Sequence, residues 1–275
     1  MLVHRNRDSL PAVPRSFQDN LQADHAHELI ELIRSSASMM RVLRAVRDEQ
    51  IPDAWIGAGV LRDLVWGERY GAGFSPDEVR DVDVAFFDPH DLSRANDDTT
   101  TERLQRQLPA IPWEAKNQAA VHTWYPDKFG GAAVEPLTSI HDAVGTWPET
   151  ATAVAVRLGA DGLIKICAPL GIADLLDGVW RRNPRRVDIQ GSLARLARHQ
   201  PATRWSRVSV IPPGIATRAR RVVALPSRVR LRASTAPTSP ATSAKGVTVV
   251  SSATLPGSPA VATRRRLHRP PFASR

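Results

Sequence analysis

Asp81 and Asp83 stand one residue apart in the run Asp81-Val82-Asp83-Val84-Ala85-Phe86-Phe87. If that run is a strand, alternate side chains share a face, so the two carboxylates project together while Val82 and Val84 point the other way. Neighbouring carboxylates repel and resist ionisation unless a cation compensates them. Hard oxygen donors of this kind suit Mg²⁺, which takes one or two carboxylates together with substrate phosphates. A solvated acidic edge is the plainer alternative. Upstream, Gly57-Ala58-Gly59 follows a short apolar run and precedes a helical pattern carrying Arg62. Small residues at a strand-to-helix turn let backbone N–H groups approach an anion at the positive end of the helix dipole, and an arginine on the first turn adds a charge-assisted contact to a phosphate. The same turn also arises for structural reasons alone. Glu114, in Pro112-Trp113-Glu114-Ala115-Lys116, is a third acid in a short strand, facing either the same cleft or bulk solvent. Lys116 is read as pointing to the opposite face. Jointly these features fit nucleotidyl transfer by two metal ions: an anion-binding turn, a metal-binding pair and a third carboxylate, acting on an NTP and an acceptor hydroxyl.

The elements that must hold these residues alternate in type. Residues 21–48 carry Leu29, Ile30, Leu32, Ile33, Met40, Leu43 and Val46 at three-to-four spacing, which predicts an amphipathic helix or a helix pair. Strands are predicted at 54–56 and from 82 to Asp88-Pro89, with a helix over 60–66 and a loop over 67–79 between them. Residues 101–108 are predicted helical and 113–116 a strand. Ser139, with Asp142 three residues on, reads as a helix N-cap, and Pro148 as the stop of that helix. Residues 151–158 and 163–168, joined by Gly159-Ala160-Asp161-Gly162, read as a hairpin, and 172–179 as a short helix. Strands and helices mix without a strict βαβ repeat, so the predicted class is α+β, a mixed β-sheet flanked by helices.

The chain has 275 residues and a formal net charge of +9, but the charge is not evenly spread. Residues 212–275 hold 12 Lys and Arg, no Asp or Glu, and 9 of the 22 prolines, leaving 1–211 with a net charge of −3. This sets the expected organisation: an N-terminal extension over 1–20, a domain over 21–211, and a disordered basic tail over 212–275. A tail of this kind offers nonspecific contact to nucleic acid, and a shifted reading frame is another source of such a composition. No apolar run approaches the roughly 20 residues of a membrane helix, and no signal-like apolar region opens the chain. A cytoplasmic protein without a membrane span is the expectation. With a single cysteine, Cys167, an internal disulfide and a cysteine metal cluster are excluded.

The segment Gly57-Ala58-Gly59-Val60-Leu61-Arg62-Asp63, followed by Asp81-Val82-Asp83-Val84, resembles the active-site signature of the DNA polymerase β-like nucleotidyltransferase superfamily. Its turn is similar to the Gly-Gly-x-x-Arg-Asp segment of tRNA CCA-adding enzymes. A closer resemblance is to a bacterial family of nucleotidyltransferase family proteins. It rests on Trp113-Glu114-x-Lys116-Asn117-Gln118-Ala119-x-x-His122, Trp147-Pro148-Glu149-Thr150 and Ala168-Pro169-Leu170-Gly171-x-x-Asp174, and spans about residues 25–207. The resemblance implies a nucleotidyltransferase-like sheet, with Asp81, Asp83 and Glu114 as Mg²⁺ ligands and catalytic residues, and Gly57, Gly59 and Arg62 holding phosphates. The chain departs from the pattern at Ala58, where the superfamily's first glycine stands, and in a longer interval before the aspartates. Asn117, Gln118 and His122 are candidate contacts to a base or acceptor, and Trp147 to Thr150 a candidate cleft rim. The rival from another class is a catalytically silent protein that binds a nucleotide or nucleic acid. A carboxylate-pair glycosidase is more distant, since its two acids flank a sugar from opposite sides.

Overall fold

The computed structural model describes residues 15–75, 79–130, 133–185 and 187–214. In chain order the elements are α1 (Arg15–Ser35), α2 (Ala37–Asp48), β1 (Trp55–Gly57), α3 (Gly59–Tyr70), β2 (Val82–Phe86), α4 (Arg94–Gln107), β3 (Trp113–Asn117), α5 (Val121–Phe129), α6 (Ile140–Val144), β4 (Ala155–Leu158), β5 (Ile164–Cys167), α7 (Ala173–Leu176), β6 (Val179–Trp180), α8 (Ile189–His199), α9 (Pro201–Arg204) and β7 (Ser209–Val210). Five strands form one mixed sheet in the order β3-β2-β1-β4-β5, and β6 and β7 pair separately. β2 and β3 run parallel, a pairing that requires a crossover, here supplied by α4. The remaining neighbours in the large sheet are antiparallel.

Alternation along the strands decides which face becomes the site. Val82, Val84, Phe86, Trp113 and Ala115 pack into the main core with Leu29, Ile33, Leu43, Leu61, Leu64 and Trp66 from the first three helices. Period two then sends Asp81, Asp83, Glu114 and Lys116 to the other face. A second, smaller core of Trp55, Ala85, Ile140, Val144, Ala153, Ala155 and Cys167 covers part of that other face and leaves the acidic stretch open.

The predicted helix pair divides at Ser36, whose hydroxyl caps α2 by accepting from the Met39 N–H at 3.3 Å. Ser139 caps α6 in the same way, accepting from the Asp142 N–H at 3.1 Å. That helix stops before Pro148 is reached, because Gly145 and Thr146 close its last turn onto His141 and Ala143. α3 runs four residues into the predicted 67–79 loop. α4 starts well before residue 101, from the capping Ser93, in a polar stretch with no apolar period to reveal it. β4 begins at Ala155 rather than 151, since Glu149 to Val154 fold into a turn with Thr152 and Ala153 N–H groups on the Glu149 carbonyl. Only four residues of 172–179 are helical; Val179 and Trp180 pair with β7. The expected N-terminal extension and basic tail lie outside the described residues, apart from 15–20 and 212–214.

Candidate active site

The register of β2 on β3 places Asp83 directly beside Glu114, and Asp81, two residues earlier, extends the same row. β1 runs antiparallel on the other side of β2, with Ile56 opposite Val84. The turn at Ala58-Gly59 therefore comes down beside the aspartates, and a Cβ built on Gly59 would lie 4.0 Å from Asp81 Oδ1 and 3.8 Å from Arg62 Nη2. These residues line one cleft of about 540 Å³. Among the described residues its walls carry six basic side chains (Arg62, Arg80, Lys116, Arg195, Arg198 and Arg204) against four acids, Asp63, Asp81, Asp83 and Glu114, so it suits a polyanion.

Asp83 sits at the centre of the row, beside both other acids. Its pKa is pushed up to about 7, first by burial and then by the charges of Asp81 and Glu114, against the pull of Arg195 and Arg62. Three acids in one row, with one of them shielded from water, make ionising that one costly. Asp81 has Arg80 at 3.3 Å, and Glu114 is half-exposed with Lys116 Nζ at 3.9 Å. Lys116 thus shares the face of Glu114, correcting its sequence-based placement: residues two apart on a strand point the same way. Among the described residues, no three His, Cys, Asp or Glu side chains close around a common metal position. Mg²⁺ does not need such a cage, because phosphates and water complete its shell.

The phosphate side of the cleft differs from a bare glycine turn. Gly57 lies within β1, where a Cβ would meet the Trp147 ring at 2.6 Å and the Val154 carbonyl oxygen at 2.7 Å. The cleft-lining residues of the turn are Ala58 and Gly59. Ala58 adopts φ +55° and ψ −120°, a conformation that suits glycine and strains any other residue. Arg62 is 5% exposed and donates from Nε and Nη2 to Asp63 Oδ1 at 2.9 and 2.7 Å. Its guanidinium also sits 5.5 Å from the Trp205 ring centre and 5.9 Å from that of Trp180. Asp63 Oδ2 accepts from Arg204 at 3.0 Å, so Arg62 and Asp63 tie α3 to α9 across the cleft wall.

Arg195, Arg198, His199 and Arg204, like Arg80, Trp124 and Phe129, line the cleft and were missed by sequence reasoning. Arg195 and Arg198 sit three apart on α8 and so share a face. Arg195 makes a bidentate pair with Glu149, at 2.6 and 2.9 Å. Glu149 is wholly buried and also accepts from Thr152 Oγ1 at 3.2 Å. Arg198 is exposed at the cleft and, among the described residues, makes no ion pair or side-chain hydrogen bond. His199 is held neutral, its pKa pushed down to about 3 by burial and by Arg62, Arg195, Arg198 and Arg80. Of the other candidates, Gln118, Trp147 and Pro148 line the cleft. Asn117 is wholly buried and spent on backbone: it donates to the Asp88 and Asp91 carbonyls and accepts from the Asp88 and Ala119 N–H groups. His122 lies away from the cleft lining, its Nδ1 buried without a hydrogen-bond partner among the described residues.

A family model described as nucleotidyltransferase matches residues 44–210, more than half of the chain and every cleft residue named above. The chain belongs to this nucleotidyltransferase family. A protein whose NMR structure reveals a CCA-adding enzyme head domain is 28% identical to this nucleotidyltransferase, with a TM-score of 0.57; the match covers 68% of this chain and 95% of that one. A CCA-adding enzyme in complex with CTP is 14% identical at a TM-score of 0.41, covering 68% of this chain and 43% of that one. A tRNA-processing enzyme in an apo form is 17% identical at 0.38, covering 73% and 45%. The nucleotidyltransferase spans less than half the length of those two enzymes. No curated protein matches it. No helix among the described residues is long and apolar enough to cross a membrane.

Proposed function

We propose that this nucleotidyltransferase moves a nucleoside monophosphate from an NTP to a hydroxyl acceptor, using Mg²⁺ held by Asp81 and Asp83, with Glu114 completing the site. The adjacency of Asp83 and Glu114 in register, with Asp81 on the same face beside the Ala58-Gly59 turn, is the observation that carries this reading. When bound, Mg²⁺ supplies charge neutralisation at the transferred phosphoryl group and acidifies the acceptor hydroxyl. The chain's own groups do the rest. The backbone at Gly59 and the cations Arg195, Arg198 and Arg204 hold the β- and γ-phosphates, and Arg62 with Asp63 fixes the wall that carries them. The acceptor oxygen forms a bond to the α-phosphorus while the bond from that phosphorus to the bridging oxygen breaks. Pyrophosphate leaves with the electron pair, toward the arginines, and the hydroxyl proton passes to Glu114 or solvent. His199, neutral throughout the working pH range, contributes no charge.

In this reading the activity resides in 21–211, and the 212–275 tail adds only nonspecific cationic contact. The test is incubation of the full chain with each NTP, Mg²⁺ and a cell extract, followed by mass spectrometry for nucleotidylated products and assay of pyrophosphate. A product that carries one added nucleotide and disappears in Asp83→Asn is expected. Binding of NTP without Mg²⁺ and without turnover would favour the silent-binder alternative instead.

A further inference from the structure

α5 places an aromatic surface at the mouth of the cleft. Phe129 is 61% exposed, the most of any large apolar side chain among the described residues, and with Trp124 it lines the cleft. Tyr125 joins them into one surface, its ring 6.1 Å from that of Trp124 and 4.7 Å from that of Phe129. Lys128 Nζ lies 5.5 Å from the Trp124 ring centre and 5.6 Å from that of Phe129. Aromatic rings beside a cation form the chemistry that stacks a base and neutralises its phosphate.

The topology says which base. The Ala58-Gly59 turn follows β1, and because β1 is antiparallel to β2 it reaches the cleft where β2 begins. The arginines of α8 and α9 join that end through Asp63 and Glu149. α5 instead follows the C-terminal end of β3, which is parallel to β2, so it lies toward the opposite end of the strands. In an in-line displacement the attacking and leaving oxygens lie on opposite sides of the phosphorus. With pyrophosphate departing toward the arginines, the acceptor enters from the aromatic end.

We infer that Trp124 and Phe129 stack the terminal nucleobase of a single-stranded nucleic-acid acceptor, with Lys128 on its backbone. This inference rests on the nucleotidyl-transfer reading above and names the acceptor class for that site. The probe is a 5′-fluorescein-labelled single-stranded oligonucleotide titrated with the full chain, alongside the same oligonucleotide made abasic at its 3′ end. Binding of Mg²⁺-NTP is measured separately by calorimetry. Each of Phe129→Ala and Trp124→Ala is expected to weaken oligonucleotide binding by about 5- to 100-fold, the range for one stacked base. Loss of the terminal base from the probe should have a similar effect on wild type. Trp124→Phe, which keeps a ring, should recover most of the binding and so separate stacking from folding. NTP affinity should change less than oligonucleotide affinity in all three variants. Equal binding of the intact and abasic probes would overturn the inference. So would a fall in NTP affinity as large as the fall for the oligonucleotide, which would assign the rings to the incoming nucleotide. Failure of wild type to bind Mg²⁺-NTP would count against the transfer reading itself, and persistence of that binding while the probe results fail would count against the acceptor site alone.

Discussion

Asp83 carries two opposed demands in one side chain. Burial and the charges of Asp81 and Glu114 keep its folded-state pKa near 7, well above the ordinary 3.8. For a carboxyl raised in this way, the protonated form is favoured in the fold, so its contribution to stability is greatest below about 3.8 and is lost as pH rises through about 7. Asp83→Asn is therefore expected to raise the stability of the metal-free protein at mildly alkaline pH, by about 1–2 kcal/mol after discounting for partial solvent screening. A few degrees in Tm, visible by calorimetry, is the corresponding readout. The same change should lower Mg²⁺-dependent turnover by at least ~10²-fold, as expected when charge stabilisation worth several kcal/mol is withdrawn. Wild-type turnover should rise with pH through about 7 and level off above it, following ionisation of Asp83. A His199→Gln variant should keep that profile, because His199 titrates near 3. A profile that moved with His199 instead would contradict the assignment.

At the scale of elements, the turn between β1 and α3 and the clamp on α8 are the parts under tension. Ala58 holds a glycine-like conformation, strain worth roughly 1–3 kcal/mol. Ala58→Gly should therefore stabilise the protein by about 1 kcal/mol once the glycine's extra unfolded-state entropy is counted, with phosphate binding kept or improved. Denaturant titration of the two forms measures it. Glu149 is buried and paired through both oxygens to Arg195, which stays 28% exposed in the cleft wall, so removing the acid costs the charge-assisted hydrogen bonds, about 1.5–3 kcal/mol. Glu149→Ala should lose stability on that scale and weaken NTP binding, through release of Arg195 from the cleft. The acidic face of β2 was legible in the sequence because strand alternation is a local signal: Val82, Val84 and Phe86 mark the buried side, and the aspartates follow. Ser139 and the hairpin at Gly159–Gly162 were legible for the same reason. Lys116 was misplaced by neglecting that same alternation on β3. The arginine wall was not legible. Arg204 reaches Asp63 across 141 positions and Arg195 reaches Glu149 across 46, and nothing near either arginine in the chain announces its distant partner.

The described residues are organised around one five-stranded sheet whose two faces do different work. One face buries the helices that make the fold stable; the other is kept partly open, with carboxylates at its centre, arginines at one end and aromatic rings at the other. Cations outnumber acids along the cleft, so binding of a nucleotide should weaken as salt is raised, more steeply than a single exposed ion pair would. That balance is a property of the assembled surface. The chain's overall charge of +9 gave no guide to it, being concentrated in residues 212–275 while the remainder is slightly acidic. The central claim is that the row of carboxylates on β2 and β3 binds Mg²⁺ together with an NTP. Its most direct test is calorimetric titration of Mg²⁺ with a non-hydrolysable NTP analogue into the full chain and into Asp83→Asn, just below neutral pH and in two buffers of different ionisation enthalpy. Magnesium-dependent binding accompanied by proton release in wild type, with both lost in the variant, is the predicted result. Equal binding by the two proteins, or binding indifferent to Mg²⁺, would contradict it.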